Sequence, residues 1–293
     1  MNNLGTRKGI ILAGGTGSRL SPLTNAVSKQ LMPVYDKPMI YYPLSTLLLA
    51  GINEILIICS PCFLDLFRNL LDDGSQWGIE IQYKCQKQPD GIAQALILGE
   101  EFLNGSPLCL ILGDNLFYGD NLSSKLKEVN SAREKGTLFA YQVNDPCRYG
   151  IIEFNDELTV ISIEEKPINP KSNFAVTGIY FYENSVINIA KNLKPSKRGE
   201  LEITDINKAL LNEGRLKVRL LKRGMAWLDT GTVESLHDAG TFIKTIETRQ
   251  GLKIGCPEEI SWKLGYISKD ELRIIASKHS KSEYGNYLMK LLK

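Results

Sequence analysis

Short apolar segments alternate with amphipathic segments through the first half of the chain. The apolar runs predict strands at 9–13, 54–59, 79–85, 108–112 and 137–143, and the spacing of apolar positions between them predicts helices at 39–50, 63–71, 92–102 and 122–134. Strands separated by helices indicate right-handed βαβ units and a mainly parallel sheet that is covered on both faces. Ligands of such sheets bind beyond the carboxyl ends of the strands, so the loops at 14–24, 86–91 and 113–119 are candidate binding loops.

The second half of the chain is richer in β-structure. Strands are predicted at 151–154, 158–163, 175–182, 217–221 and 225–228, and helices at 204–212 and 232–249, with Thr232 as a cap for the last. The residues after 250 show helical patterns with lysine-rich faces, and no Gly/Ser/Pro-rich linker precedes them. We therefore predict an α/β core domain over residues 1–250 and a C-terminal helical extension over 251–293 that packs on the core.

Composition and charge exclude several classes of protein. With 293 residues, 43% of them hydrophobic, the chain can bury a large core. Its 35 basic and 33 acidic residues leave a net charge of +2, which gives no reason to expect a nucleic acid or an anionic membrane surface as a partner. No apolar stretch approaches the length of a membrane-spanning helix, and we expect a reduced, cytoplasmic protein.

The cysteines offer one candidate motif. Cys59-x-x-Cys62 has the spacing of half a redox or zinc site. No second pair completes a zinc set, and the chain has only 2 histidines. Buried free thiols at the end of a strand are the favoured interpretation.

A glycine-rich loop follows the first predicted strand. Leu12 lies near the end of this strand, and the loop contains Gly14, Gly15, Thr16, Gly17 and Ser18. Glycines let backbone N–H groups approach a triphosphate closely, and the following Arg19 has forked donors that suit phosphate oxygens. The loop is neither a Walker A motif nor a complete G-x-G-x-x-G, and a glycine turn without a ligand is the alternative.

Two aspartates are candidates for a metal site. Asp114 follows the predicted strand at 108–112 and Asp229 follows that at 225–228, and we expect both strands to end at the same edge of the sheet. Carboxylate oxygen is the ligand that Mg²⁺ prefers, commonly one or two per site, with phosphates and waters completing the shell. Lys29, in the segment Ser28-Lys29-Gln30, is suited to neutralise a leaving pyrophosphate. Taken singly, each aspartate also fits a turn or a cap, and Lys29 a solvated surface position.

Further polar residues lie at the ends of other predicted strands. Glu164 and Glu165 point to opposite faces if the chain stays extended, so that one can accept sugar hydroxyls while Lys166 pairs with a phosphate. Gln86, before the turn at 89–91, carries an amide suited to a pyrimidine edge. The segments 148–150 and 176–180 place glycines, a valine and tyrosines where a flat sugar ring can lie. Each of these features alone also fits a structural or solvent-exposed turn.

Together and in this order, these segments resemble the sugar-nucleotidyltransferase family, in its thymidylyl-transferring branch. The resemblance covers nearly the whole chain and rests on L-A-G-G-x-G-x-R-L, S-K-Q-L-x-P-V-Y-D-K-P-M-I-Y-Y-P-L, P-D-G, L-G-D-N, R-Y-G, E-E-K-P, V-T-G-I-Y, R-G-E-L-E-I-T-D and A-W-L-D-T-G-T. It implies a Rossmann-like mixed sheet, a homotetramer, and Mg²⁺ held by Asp114 and Asp229. It also implies dTTP and glucose 1-phosphate as substrates, and a product, dTDP-glucose, that feeds deoxysugar pathways such as that of dTDP-rhamnose.

The resemblance further implies roles for individual residues. The implied catalytic residues are Arg19, Lys29, Lys166 and Asp114. The implied nucleotide-binding residues are Leu12, Gly14, Gly15, Thr16, Gly17, Ser18, Arg19, Lys29, Gln30, Gln86, Pro89, Gly91 and Asp114. The implied sugar-phosphate-binding residues are Asn115, Tyr149, Gly150, Glu165, Lys166, Val176, Tyr180 and Arg198.

One departure from the family pattern concerns regulation. Asp120 stands where the family usually has a histidine, near the family's second, regulatory nucleotide site, so feedback control is expected to differ. Three alternatives stay open: transfer of uridylyl or another nucleotidyl group to a related sugar 1-phosphate, a non-catalytic nucleotide-sugar-binding regulator, and a nicotinamide dehydrogenase. The dehydrogenase is disfavoured because the second long strand ends in Cys59-Ser60, where that class needs an acidic residue.

Overall fold

The computed structural model describes residues 6–132 and 134–293. Its strands are β1 (Lys8–Ala13), β2 (Pro33–Val34), β3 (Lys37–Pro38), β4 (Glu54–Cys59), β5 (Glu80–Cys85), β6 (Leu108–Leu112), β7 (Asn115–Tyr118), β8 (Gly136–Gln142), β9 (Gly150–Phe154), β10 (Val160–Glu165), β11 (Phe174–Tyr182), β12 (Leu216–Leu221) and β13 (Ala226–Asp229). Its α-helices are α1 (Tyr41–Leu49), α2 (Leu64–Leu71), α3 (Gln94–Leu98), α4 (Glu100–Leu103), α5 (Leu122–Ala132), α6 (Val186–Lys191), α7 (Ile203–Asn212), α8 (Val233–Gln250), α9 (Pro257–Lys263), α10 (Lys269–Lys278) and α11 (Glu283–Leu291).

A 9-stranded sheet organises the fold. Strands β5, β4, β1 and β6 are parallel neighbours, with Ala13 opposite Cys59 and Leu12 opposite Leu112. Beyond β6, strand β11 runs antiparallel and pairs with β8 and β9, while β12 is parallel to β8. The predicted mixed sheet flanked by helices is confirmed. Because the parallel strands end in register, the loops after β1, β5 and β6 lie at one edge of the sheet.

The apolar runs bury side chains on both faces of the sheet. Ile10 and Ile11 are neighbours in β1 and point to opposite faces, yet both are fully buried. Helices α1, α2 and α5 cover the face of Ile11, and helices α3, α6 and α7 cover the face of Ile10. This two-sided cover explains why the central strands are continuously apolar instead of alternating.

The strand that carries Asp229 does not belong to the main sheet. Strand β13 pairs antiparallel with β7 in a separate two-stranded ribbon, in which Asp229 lies opposite Asn115. The expectation that Asp114 and Asp229 follow strands of one sheet edge is therefore wrong. The two aspartates meet because β7 begins directly after Asp114 and brings β13 alongside.

Other local expectations also differ from the structure. The helix predicted at 92–102 is two short helices interrupted at Gly99. Helix α6 was not predicted, and β7 lies where a loop was predicted. The helix predicted at 122–134 ends at Ala132, and residue 133 lies outside the described residues.

The C-terminal segment is helical, as predicted. Ile260 and Leu264 pack on the main core, as does Tyr41, whose ring meets that of the core residue Trp77 edge to face at 5.7 Å. Helices α10 and α11 form a separate cluster around Leu272 and Leu288, to which Cys256 and Trp262 of the α9 segment also contribute. The division of the chain at residue 250 stays a prediction. Within the described ranges, no helix is both long and apolar enough to cross a membrane.

Candidate active site

A cleft of about 380 Å³ opens at the carboxyl ends of β1, β5 and β6. The predicted residues that line it are Leu12, Gly14, Gly15, Arg19, Gln30, Gln86, Pro89, Gly91, Asp114, Asn115, Tyr149, Gly150, Glu165, Lys166, Val176, Tyr180 and Asp229. The predicted residues outside its lining are Thr16, Gly17, Ser18, Lys29 and Arg198. Lys29 and Arg198 still contact carboxylates that line the cleft.

The glycine loop turns sharply as it leaves β1. Gly15 and Gly17 have φ of +96° and +62°, which are left-handed conformations that favour glycine. A Cβ on Gly14 would lie 2.0 Å from Oε1 of Gln86, so only glycine lets that side chain reach the loop. A 3₁₀ turn (Ser18–Leu20) then begins at the exposed end of the loop and carries Arg19 back to the cleft.

Arg19 lies beside Asp229 because Gly231 leaves room for both. A Cβ on Gly231 would be 3.0 Å from Nη2 of Arg19 and 3.0 Å from Oδ1 of Asp229. The guanidinium contributes favourable charge to this carboxylate. The glycine loop and the ribbon therefore converge on one point of the cleft.

Asp114 is held by contacts on all its oxygens. Nζ of Lys29 forms an ion pair with Oδ2, and Nδ2 of Asn115 donates to Oδ1 at 2.9 Å. The backbone oxygen of Asp114 accepts from the N–H and the hydroxyl of Thr230, at 3.2 and 2.9 Å. Burial alone would raise the pKa of Asp114, but the Lys29 ammonium and these side-chain hydrogen bonds outweigh burial and lower it.

The negative charge of Asp229 is less well balanced by nearby cations than that of Asp114. Its nearest ion-pair partner is Nη2 of Arg148, at 3.9 Å from Oδ2. Desolvation and the neighbouring Asp114 raise its pKa, and Lys29, Arg19 and Arg148 only partly oppose this shift. Two half-buried carboxylates that repel one another in the cleft suit a divalent cation with phosphate co-ligands. Among the described residues, no cluster of three or more His, Cys, Asp or Glu offers a fuller ligand set.

Gln86 is fixed at the end of the cleft near Gly91. Its Nε2 donates to Oε1 of Gln94 at 2.6 Å, and Gln94 in turn donates to Asp90 at 2.8 Å. Among the described residues no donor is bound to Oε1 of Gln86, so this oxygen is available as an acceptor. Gly91 has φ of +107° and packs against the backbone of Leu201, so the turn at 89–91 is joined to the segment before α7.

Glu165 lines the cleft and is held by Thr204 and Arg198. Thr204 donates to its Oε2 at 2.5 Å, and Arg198 lies 3.4 Å from its Oε1. Arg198 is also bound by Glu202, at 2.8 Å to each carboxylate oxygen. Glu164 points away and pairs with Lys171 at 3.1 Å, as the predicted alternation of the strand requires.

Asn115 lines the cleft and joins three strands through its side chain. Its Oδ1 accepts from the N–H of Gly178 at 3.1 Å and from Nε1 of Trp227 at 2.5 Å. A Cβ on Gly178 would lie 2.5 Å from that oxygen, so the close approach depends on glycine. Asn115 therefore ties β7, β11 and β13 together directly behind Asp114.

Several residues of the cleft were not singled out from the sequence. They are Arg148, Thr204, Asn207 and Trp227, which line it, and Gln94, which orients Gln86. Arg148, Thr204 and Trp227 lie inside runs that carry the family resemblance. Their sequence context gave no indication of which way each side chain points.

The fold and the cleft define a protein that binds a nucleoside triphosphate and transfers part of it to a second phosphate compound. The model of the nucleotidyl transferase family matches residues 8–246, and the chain belongs to that family. Members of this family generally depend on a divalent metal.

Individual relatives narrow the class. The chain is 55% identical to the glucose-1-phosphate thymidylyltransferase of Neisseria meningitidis, over 98% of this chain and 99% of that protein. It is 53% identical to the enzyme of the same name from Mycobacterium tuberculosis, over 97% and 99%. A solved Bacillus anthracis structure, designated a glucose-1-phosphate thymidylyltransferase in complex with a sucrose, matches with a TM-score of 0.75 and 42% identity, over 80% of this chain and 94% of that one. A UDP-glucose pyrophosphorylase solved with UDP-glucose matches with a TM-score of 0.73 and 25% identity, over 83% and 100%.

Proposed function

We propose that this enzyme transfers the thymidylyl group of dTTP to α-D-glucose 1-phosphate, giving dTDP-glucose and pyrophosphate. The observation that carries the proposal is the convergence of Asp114, Asp229 and Arg19 beside the glycine loop, in a cleft that Glu165 and Lys166 also line. The relatives that share more than half of the sequence bear the thymidylyltransferase name, whereas the UDP-glucose pyrophosphorylase shares 25%. This product would enter deoxysugar synthesis, of which dTDP-rhamnose is one branch.

The chemistry follows from the charges around the cleft. An oxygen of the sugar phosphate attacks the α-phosphorus of dTTP in line, the bond from that phosphorus to the bridging oxygen breaks, and pyrophosphate leaves with the electron pair. A phosphate oxygen is already nucleophilic at neutral pH, so catalysis depends mainly on positioning the reactants and neutralising their charge. When bound by Asp114 and Asp229, Mg²⁺ would neutralise phosphate oxygens and orient them. Arg19 and Lys29 bind and neutralise the triphosphate. Lys166 and Arg198 bind the phosphate of the sugar.

Base selection rests on the acceptor that the amide chain leaves free. Oε1 of Gln86 can accept from the N3–H of thymine or uracil, whereas cytosine has no hydrogen there. Leu12, Pro89 and Gly91 line the same end and provide apolar and backbone surface for the ring. This contact selects a pyrimidine with an N3–H, and the preference for thymine over uracil rests on the relatives.

The proposal is tested by the release of pyrophosphate in a matrix of four nucleoside triphosphates against the 1-phosphates of glucose, galactose and glucosamine. We expect dTTP with glucose 1-phosphate to give the highest kcat/KM, with turnover only when Mg²⁺ is present. A strong preference for UTP or ATP would overturn the thymidylyl assignment.

Single substitutions test the residue roles. Asp114→Asn and Arg19→Ala should each lower kcat by about a hundredfold or more, because each removes charge neutralisation from the reacting phosphates. Asp156→Asn, in an exposed turn between β9 and β10, is the matched control and should leave kcat unchanged. Near-normal rates in both cleft variants would show that the mechanism is wrong. The homotetramer implied by the family resemblance is tested separately by sedimentation equilibrium.

A further inference from the structure

The described contacts leave the predicted metal ligand Asp114 with both carboxylate oxygens already engaged. Oδ2 is taken by the ammonium of Lys29 and Oδ1 by the amide of Asn115. Lys29 lies in a 3₁₀ turn (Lys29–Leu31) and is only 9% exposed, so its side chain is held close to the carboxylate by the surrounding chain. The ammonium of Lys29 therefore neutralises an oxygen that a divalent cation would bind.

The local charge balance disfavours a metal ion that arrives alone. The two carboxylates of Asp114 and Asp229 face three cations, namely Lys29, Arg19 and Arg148. A divalent ion added to this group meets an excess of positive charge, and it also strips Lys29 of its partner in a largely buried position. A metal–triphosphate complex brings its own negative charge and a new partner for the displaced ammonium.

We propose that Lys29 closes the metal position of the free enzyme and moves to the nucleotide phosphates only when the metal–nucleotide complex enters. The four-carbon stem of a lysine permits such a change of partner without movement of the backbone. The inference rests on the proposed function, since it takes Asp114 as a metal ligand. It makes Lys29 a positioning residue for the metal in the free state and a phosphate ligand in the complex, and it makes the metal and the nucleotide bind together.

The test measures Mn²⁺ binding to the full chain without nucleotide, by calorimetry and by the electron paramagnetic resonance signal of the free ion. Lys29→Met keeps the length of the side chain and removes its charge, and should bind Mn²⁺ at least about tenfold more tightly than the wild-type protein. Arg148→Met removes a nearby charge without freeing an Asp114 oxygen, and should change the affinity by less than about threefold. Adding Asp114→Asn to Lys29→Met should abolish the gain.

The outcomes separate this inference from the proposed function. Equal Mn²⁺ affinity in Lys29→Met and wild type, or equal gains in Lys29→Met and Arg148→Met, would overturn it. If Lys29→Met does not fold, Lys29→Gln takes its place with the same expectation. The metal assignment itself is tested by Mn²⁺ binding in the presence of dTTP, which Asp114→Asn should weaken in either case. Undiminished binding there would refute the metal ligand and not the role of Lys29 alone.

Discussion

Asp229 shows how a carboxylate suited to a metal lowers the stability of the free fold. Desolvation and Asp114 raise its pKa above the unfolded-state value. At neutral pH the carboxylate is ionised in the unfolded chain and disfavoured in the fold, so its ionisation lowers the free energy of unfolding. Below the unfolded-state pKa both states hold the proton and this loss disappears.

Asp229→Asn should therefore stabilise the metal-free protein. We expect a gain of about 1 kcal/mol in the free energy of unfolding at pH 7.5, shrinking towards zero as the pH falls below the ordinary carboxyl range. Urea unfolding at several pH values measures it, and the same variant should lose Mg²⁺-dependent turnover. A gain that stays constant with pH would show that the carboxylate is not its origin.

Gly91 is required by both its conformation and its surroundings. Its φ is +107°, and an added Cβ would lie 2.4 Å from the backbone oxygen of Leu201. Gly91→Ala should lower the free energy of unfolding by about 3 kcal/mol or more, because backbone strain and a clash with rigid backbone add. It should also raise the KM for dTTP, since the turn forms the end of the cleft near Gln86.

Gly105→Ala is the matched control for this substitution. Gly105 has φ of +83° with nothing within 4 Å of an added Cβ, so it carries the strain without the clash. Its loss should be about 1 kcal/mol, with the KM for dTTP unchanged. Equal losses in the two variants would show that conformation alone explains Gly91.

At the scale of elements, helix α8 holds the end of the ribbon in place. Thr232 caps it, accepting from the N–H of Ser235 at 3.2 Å, and Ser235 completes the capping box. Thr232→Ala should lower stability by about 1 kcal/mol. Because Asp229 is only three residues away, the variant should also need more Mg²⁺ for half-maximal activity.

The control for Thr232→Ala is the substitution of a threonine inside the same helix. Thr245 is exposed and its hydroxyl bonds back to the carbonyl of Thr241. Thr245→Ala should change the free energy of unfolding by less than about 0.5 kcal/mol and leave the Mg²⁺ requirement unaltered. Urea titrations and Mg²⁺ titrations of the two variants decide whether the cap supports the site.

Local patterns foretold the elements whose residues are buried uniformly. The strands at 54–59 and 108–112 have the observed bounds because, apart from Glu54 at the start of the first, their positions are apolar and nearly all buried, as in a sheet covered on both faces. Strand β7 escaped detection because Asn115 follows a Gly-Asp turn, and its stability comes from pairing with β13 far along the chain. The positions of single side chains likewise divide into those set by local sequence and those set by contacts between distant segments. Asp114 could be foreseen at a strand end, whereas the contacts of Thr204 and Trp227 arise from tertiary packing.

On the scale of the whole molecule, a buried ion cluster joins the start of the C-terminal segment to the core. Glu247 near the end of α8 pairs with Lys37 of β3 at 3.0 Å and with Lys253 at 2.7 Å, and it accepts from the N–H of Ile254 at 2.8 Å. The side chains of Lys37 and Glu247 are 2% and 4% exposed. Asp36 pairs with the same two lysines, so removing Glu247 would leave two largely buried ammonium groups to share one carboxylate.

Glu247→Gln should therefore lower the free energy of unfolding by about 3 kcal/mol. The exposed pair of Arg273 and Asp270 is the control, and Asp270→Asn should change stability by less than about 0.5 kcal/mol. Added salt should affect neither value strongly, since the first pair is shielded from solvent and the second is weak. Similar losses in both variants would contradict the importance of burial.

The ribbon of β7 and β13 affects when the active site can form during synthesis of the chain. Asp114 stands at the start of β7, but its counterpart arrives only with residue 229, after most of the sheet has been synthesised. Chains grow from the N-terminus, and pairings between distant segments form late. A nascent chain thus carries its glycine loop and first carboxylate long before the proposed metal site can form, and competence for catalysis requires synthesis to pass residue 229.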